Sequence, residues 1–95
     1  SLEPGCYVAG RYGFRSENLV LVVKDRARSR GGQSWLRLEP LTLCPIDRRL
    51  IEPRMLLAAE RDWLNAYHRQ VYRQLAPRLA PAVRRWLKRA TAPLR

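Results

Sequence analysis

Lysine is almost missing from this chain, and so are long apolar runs, paired cysteine motifs and internal repeats. Of 19 basic residues only Lys24 and Lys88 are lysine, so 19 − 2 = 17 are arginine, set against 8 acids for a net charge of +11. A charge of this size can draw nucleic acid or an anionic membrane surface. The arginines are scattered, however, with only residues 24–30 and the group Arg84, Arg85, Lys88 and Arg89 approaching patches. Solvated faces are the expected use, with no nucleic-acid and no membrane partner. The longest apolar run is residues 19–23, far short of a membrane span, and no signal peptide is visible. Cys6 and Cys44 are the only cysteines, and neither sits in a CxxC or Cys/His zinc spacing. They are expected to be free, buried thiols of a cytoplasmic protein. The chain begins on Ser1 and enters a motif-like stretch at once, so it reads as a soluble fragment with its front part elsewhere.

What is present is ordinary globular composition, 46% hydrophobic and 28% charged, which argues against disorder. The pattern changes near Asp47, from strand-like to helical, and predicts an α+β fold divided as 1–47 and 48–95. Residues 3–8 read as a strand with a Pro4-Gly5 kink, and residues 9–13 as a turn, since Gly10 and Gly13 permit positive φ. Residues 14–23 read as one strand buried on both faces in its apolar half. A loop over 26–33 ends in Gly31-Gly32, and residues 35–43 alternate as an edge or bulged strand interrupted by Pro40. Pro53 suits the first turn of a short helix. The main helix is predicted over 58–75, with Trp63, Leu64, Tyr67, Val71 and Leu75 as its apolar stripe. Pro77 closes it. A second helix over 81–90 is expected to bury Val83, Trp86 and Leu87.

Two carboxylates draw attention. Glu3 precedes Pro4-Gly5 at the kink, and Glu17 stands just ahead of Asn18 and the apolar run. Both read as buried, and a buried charge needs a partner. A divalent cation is one, because carboxylates are hard oxygen ligands. Arg15 is another: residues 15 and 17 are i and i+2 on one strand face, which suits an ion pair. Spacing alone favours the ion pair, or a solvent-facing Glu17.

The run Glu3-Pro4-Gly5-Cys6-Tyr7, followed by Gly13-Phe14-Arg15-Ser16-Glu17-Asn18 and an apolar stretch, resembles the last two motifs of the pita-bread metallopeptidases. Residues 38–51 and the helical tail, with Trp63, Tyr67, His68, Trp86 and Pro93, are similar to the C-terminal part of the Xaa-Pro aminopeptidases within that family, as is the fourteen-residue spacing of Glu3 and Glu17. The resemblance implies two divalent metal ions, manganese by analogy, held about 3.5–4 Å apart to activate water and polarise the scissile carbonyl. Glu3 would bind one ion, Glu17 would bridge both, and Arg15 would orient the acidic ligands from outside. The implied activity removes the residue before proline from a peptide with proline at its second position. The implied assembly is a homodimer. Two Asp and one His ligand of such a site have no counterpart here, so the segment alone is expected to be inactive. Ser16 departs from the family's usual Ile or Val, and the 26–33 loop has little of its sequence.

His68 lies on the helix stripe and reads as a packed, hydrogen-bonded residue, and the three tryptophans as core or interface. Two further readings compete: a non-catalytic pita-bread-like binding module, which would have no need to keep Glu3 and Glu17, and a basic nucleic-acid-binding domain, whose affinity would fall steeply with salt.

Overall fold

The computed structural model describes all 95 residues. Two antiparallel strand pairs precede two α-helices, in two compact units, Ser1–Thr42 and Leu43–Arg95. The α+β expectation holds.

In the first unit, β1 (Gly5–Val8) pairs with β2 (Tyr12–Arg15). The Arg11 N–H donates to the Val8 carbonyl at 3.0 Å, and Gly10, third in that turn, takes φ 68°, which glycine adopts without steric cost. Gly13, expected in the turn, lies inside β2 instead and has no positive φ. β3 (Val20–Lys24) pairs with β4 (Leu36–Pro40). The single strand expected over 14–23 is therefore two. Asn18 still bridges Leu2, whereas the Leu19 carbonyl accepts from Leu41 N–H at 2.8 Å and Leu19 N–H donates to Thr42 Oγ1 at 2.8 Å. The extended chain changes partner between these two residues. Burial of the apolar run on both faces is not found: Leu21 and Val22 are exposed, because a two-stranded ladder has no layer to cover either face.

The β3–β4 connection is ordered by local bonds. Asp25 Oδ1 accepts from the N–H groups of Ala27 and Arg28, and Ser29 Oγ donates to the Asp25 carbonyl and accepts from Trp35 N–H. Gly31 and Gly32 supply the positive φ values. Pro40 closes the β4 ladder opposite Val20, where a strand tolerates a missing N–H.

The second unit is built around α1 (Ala58–Leu75) and α2 (Pro81–Ala90), with short 3₁₀ turns at Arg48–Leu50, Pro53–Met55 and Ala76–Arg78. Asp47 caps the first turn and pairs with Arg49, whose side-chain and backbone hydrogen bonds hold the carboxyl down to about 2. Leu57 offers α1 no side-chain cap, but Glu60 accepts its N–H at 2.9 Å and puts a negative charge in the first turn. The core is Leu64, Tyr67, Val71, Ala76, Leu87 and Leu94. Asn65 pins the C-terminal segment by exchanging two bonds with Leu94, at 3.0 and 2.8 Å.

Trp63 is half exposed, stacked on Tyr67 with centroids 5.5 Å apart. One packing expectation needs correction, and it lies in α2. In α2 only Leu87 is buried, at 1% exposure, while Val83 and Trp86 keep 45% and 51%. α2 meets the core through its C-terminal turn, where Leu87 and Thr91 are buried one turn apart, and its first turns remain outside. Leu87→Ala should therefore cost about 2–5 kcal/mol, and Val83→Ala less than about 1 kcal/mol, measured by chemical denaturation. Equal losses would contradict this packing.

Candidate metal centre

The register of the first ladder decides what Glu3 and Glu17 can do together. The pairs Gly5 with Arg15, Cys6 with Phe14 and Leu2 with Asn18 share one register. The intervening residues follow it, so Glu3 stands directly across from Glu17. Leu2 and Asn18 exchange both backbone bonds, at 2.9 and 3.0 Å. Antiparallel pairs alternate between bonded and non-bonded, so Glu3–Glu17 is a non-bonded pair, the kind in which Cα atoms come within about 4.5 Å and side chains approach most closely. The next position fits: Ser16 N–H donates to the Pro4 carbonyl at 3.1 Å, and Pro4 has no N–H to return.

Both carboxylates are exposed, contrary to the expectation of burial. They sit on a two-stranded ladder with nothing of this unit over them. Glu17 meets Arg15 at 3.3 Å, the ion pair anticipated from the i, i+2 spacing. The Arg15 guanidinium is held above its ordinary value first by hydrogen bonding with Tyr7, then by the charge of Glu17, with Glu3 adding to it.

Tyr7 is the member of this face that sequence reasoning missed. A Cβ placed on Gly13 would lie 2.6 Å from Tyr7 Cδ1, and one placed on Gly5 would lie 2.5 Å from the Tyr7 hydroxyl oxygen. The ring therefore lies flat over both glycines. Gly5 and Gly13 are there for clearance rather than for a kink or a turn. The available signal was Tyr7 and Gly13 falling opposite each other once the turn is centred on Gly10.

Paired hard-oxygen donors on the closest-approach position fit a divalent cation as part of a ligand set. They do not complete one: no group of three or more His, Cys, Asp or Glu side chains is assembled anywhere in the chain.

A family model described as the C-terminal region of peptidase_M24 matches residues 34–94, more than half of the chain. The chain belongs to the M24 peptidase family. A probable Xaa-Pro aminopeptidase P of Coprinopsis cinerea is 39% identical over 97 residues, covering 99% of this M24 chain and 16% of that relative. A probable Xaa-Pro aminopeptidase P of Paracoccidioides brasiliensis is 38% identical over 95 residues, covering 97% and 15%. Among solved structures, the X-prolyl aminopeptidase of Caenorhabditis elegans, described as a cytosolic enzyme with a di-nuclear active site, matches with a TM-score of 0.86 at 33% identity, over 98% of this chain and 16% of its own. The M24 chain thus spans about a sixth of the length of the curated relatives it matches.

The other candidates of this M24 chain have structural employment. Cys6 and Cys44 are free but exposed, not buried as expected; each sits on an uncovered segment. Arg48 donates to the Ala92 carbonyl, and Arg84 caps the Ala76 and Leu79 carbonyls at 2.9 and 3.1 Å. No helix is long and apolar enough to cross a membrane. His68 is fully buried in the helical unit, and its Nε2 accepts from Ile46 N–H at 3.1 Å. That bond places the ring proton on Nδ1, which has no partner.

Burial first, and the Arg48 charge second, push His68 below its ordinary value of 6.5. The unfolded chain therefore takes up the proton first. The contribution of His68 to the stability of the helical unit is complete above about pH 6.5 and is lost as pH drops toward the lower folded value. Thermal melts between pH 7 and 5 should show this loss, and His68→Gln, which keeps an acceptor for Ile46 but cannot titrate, should flatten it. An unchanged slope would contradict the neutral, accepting imidazole.

Proposed function

We propose that this chain is the C-terminal part of a dinuclear-metal Xaa-Pro aminopeptidase, supplying Glu3 as a ligand to one ion and Glu17 as the bridge between both. The observation that carries the reading is the cross-strand register that sets the two carboxylates face to face. Like charges directly opposite destabilise a ladder, on the scale of roughly 0.2–1 kcal/mol for a cross-strand pair, so a shared cation gives the pairing a purpose. The names of the relatives, and the di-nuclear site of the C. elegans neighbour, support the same reading.

When bound, two divalent ions, manganese in our proposal, supply polarisation of the scissile carbonyl and activation of water. The chain's own residues do the holding. Glu3 and Glu17 present oxygen donors from rigid backbone. Arg15 balances their charge and orients Glu17 from the side. The remaining donors would come from other segments of the complete polypeptide. Exposed apolar side chains lie on both faces of the β3–β4 ladder, Leu21 on one and Leu36 and Leu38 on the other, and support such a covering layer, since a two-stranded ladder cannot bury either face by itself. The substrate is a peptide with proline at its second position. A cytoplasmic location and a homodimer belong to the same proposal, the latter supported by half-exposed Trp63, a residue type enriched at interfaces.

In the complete enzyme, Glu17→Ala should lower manganese-dependent release of arginine from Arg-Pro-Pro by more than about 100-fold, beyond the 10–100-fold typical of residues that only support a ligand. A near-normal rate would remove Glu17 from the bridge. The 95-residue chain alone should release none, because it lacks the other ligands; release with manganese would contradict the incomplete site.

A further inference from the structure

We infer that the cavity between the last turn of α2 and residues 44–49 binds a small phosphate monoester carrying a planar ring, with the ring on Trp86 and the phosphate between Arg48 and Arg89. The site lies wholly within the helical unit and does not depend on the metal reading.

The cavity measures about 610 Å³, within the roughly 300–1,000 Å³ usual for small-molecule sites. One wall is α2, which contributes Trp86, Arg89 and Ala90. Residues three apart share a helix face, so indole and guanidinium stand side by side there. The other wall is residues 44–49. Up to Asp47 it has no helix or strand of its own, yet it is fixed from behind at alternate residues. The Tyr67 hydroxyl accepts from Cys44 N–H at 3.4 Å and donates to the Cys44 carbonyl at 2.9 Å. Ile46 N–H donates to His68 Nε2 at 3.1 Å, and Arg48 donates to the Ala92 carbonyl. A wall anchored in this way is shaped before a ligand arrives, which lowers the cost of binding.

Two groups in the cavity are not used by the fold. Trp86 keeps 51% of its surface exposed, although its spacing suits the core. The Arg89 side chain engages no acceptor, whereas Arg49 is held by Asp47 at 2.7 Å. Lys88 already sets a positive charge against the C-terminal end of α2, so Arg89 is not needed for that. Three guanidinium groups, on Arg48, Arg49 and Arg89, line the cavity with one carboxylate, on Asp47. The positive surplus matches a phosphate monoester, which carries about −1.5 to −2 near pH 7; a monocarboxylate would leave part of it unbalanced. Guanidinium forks suit phosphate oxygens, and the flat indole suits a ring. A second copy of the chain fits worse, because a self-complementary contact would bring arginine against arginine.

The test is calorimetric titration of the complete enzyme with adenosine monophosphate, phenyl phosphate and inorganic phosphate. At least one of the two ring-bearing ligands should bind more tightly than inorganic phosphate. Trp86→Ala should weaken that ligand by at least about 5-fold, the lower end for a stacked base, and leave inorganic phosphate within about 2-fold. Arg89→Ala should weaken all three by about 10-fold or more, as loss of a charged hydrogen bond does. Lys88→Ala, next in the chain but outside the cavity, should change nothing beyond about 2-fold. Thermal midpoints should stay put in all three variants, since each residue is exposed. Preference for adenosine monophosphate over phenyl phosphate assigns a nucleoside ligand; equal affinity assigns any aryl phosphate, and both support the site. No binding of either ring-bearing ligand, or binding no tighter than inorganic phosphate, overturns the inference. So does binding that survives Trp86→Ala or Arg89→Ala unchanged, which would place the anion elsewhere on the enzyme.

Discussion

Two carboxylates held opposite one another on an antiparallel ladder repel, and backbone pairing gives them no way apart. Leu2 and Asn18 lock one side of the Glu3–Glu17 pair with reciprocal bonds, and the Ser16 to Pro4 bond locks the other. The repulsion is small beside the ladder's own cohesion, so the register survives. It is large enough to require a local answer, and Arg15 is that answer within the chain. The rest of the face is arranged around Arg15, with Tyr7 at its other end and two glycines beneath the ring. A divalent cation would replace a partial remedy with a complete one, because both carboxylates can then share a positive partner.

The helical unit solves a different problem. Its chain after Leu43 runs irregularly before α1, and its polar groups need partners. Side chains supply them: Tyr67 donates to the Cys44 carbonyl at 2.9 Å, His68 accepts from Ile46, Asn65 pairs with Leu94, and Arg48 and Arg84 donate to the Ala92 and Ala76 carbonyls. Two of the 17 arginines, Arg48 and Arg84, thus serve backbone carbonyls of this unit. The small core of Leu64, Val71 and Leu87 is held in register by this polar frame.

Both helices were legible in the sequence to their ends, since proline punctuation and the apolar stripe agree. The packing of α2 was less so. Periodicity shows which residues share a face but not how much of the helix reaches the core, and Val83 and Trp86 lie beyond that reach. The strand region misled in a more instructive way. An unbroken extended run over 14–23 looks like one strand, yet a strand can change partner without bending, and the bonds at Asn18 and Leu19 show that it does. Recognising the change would have aligned Glu3 with Glu17 at once. Their burial was inferred from apolar neighbours, but a two-stranded ladder cannot bury what it carries. Tyr7 was missed because its signal is a pair of small residues seen only after the register is known.

Joint metal binding by Glu3 and Glu17, as proposed, can be read from anomalous diffraction at the manganese edge in crystals of the complete enzyme. Two neighbouring peaks are expected, both within coordination distance of Glu17 and one of them also of Glu3. Peaks that leave Glu17 bound only to Arg15, or a single peak touching neither carboxylate, would contradict it.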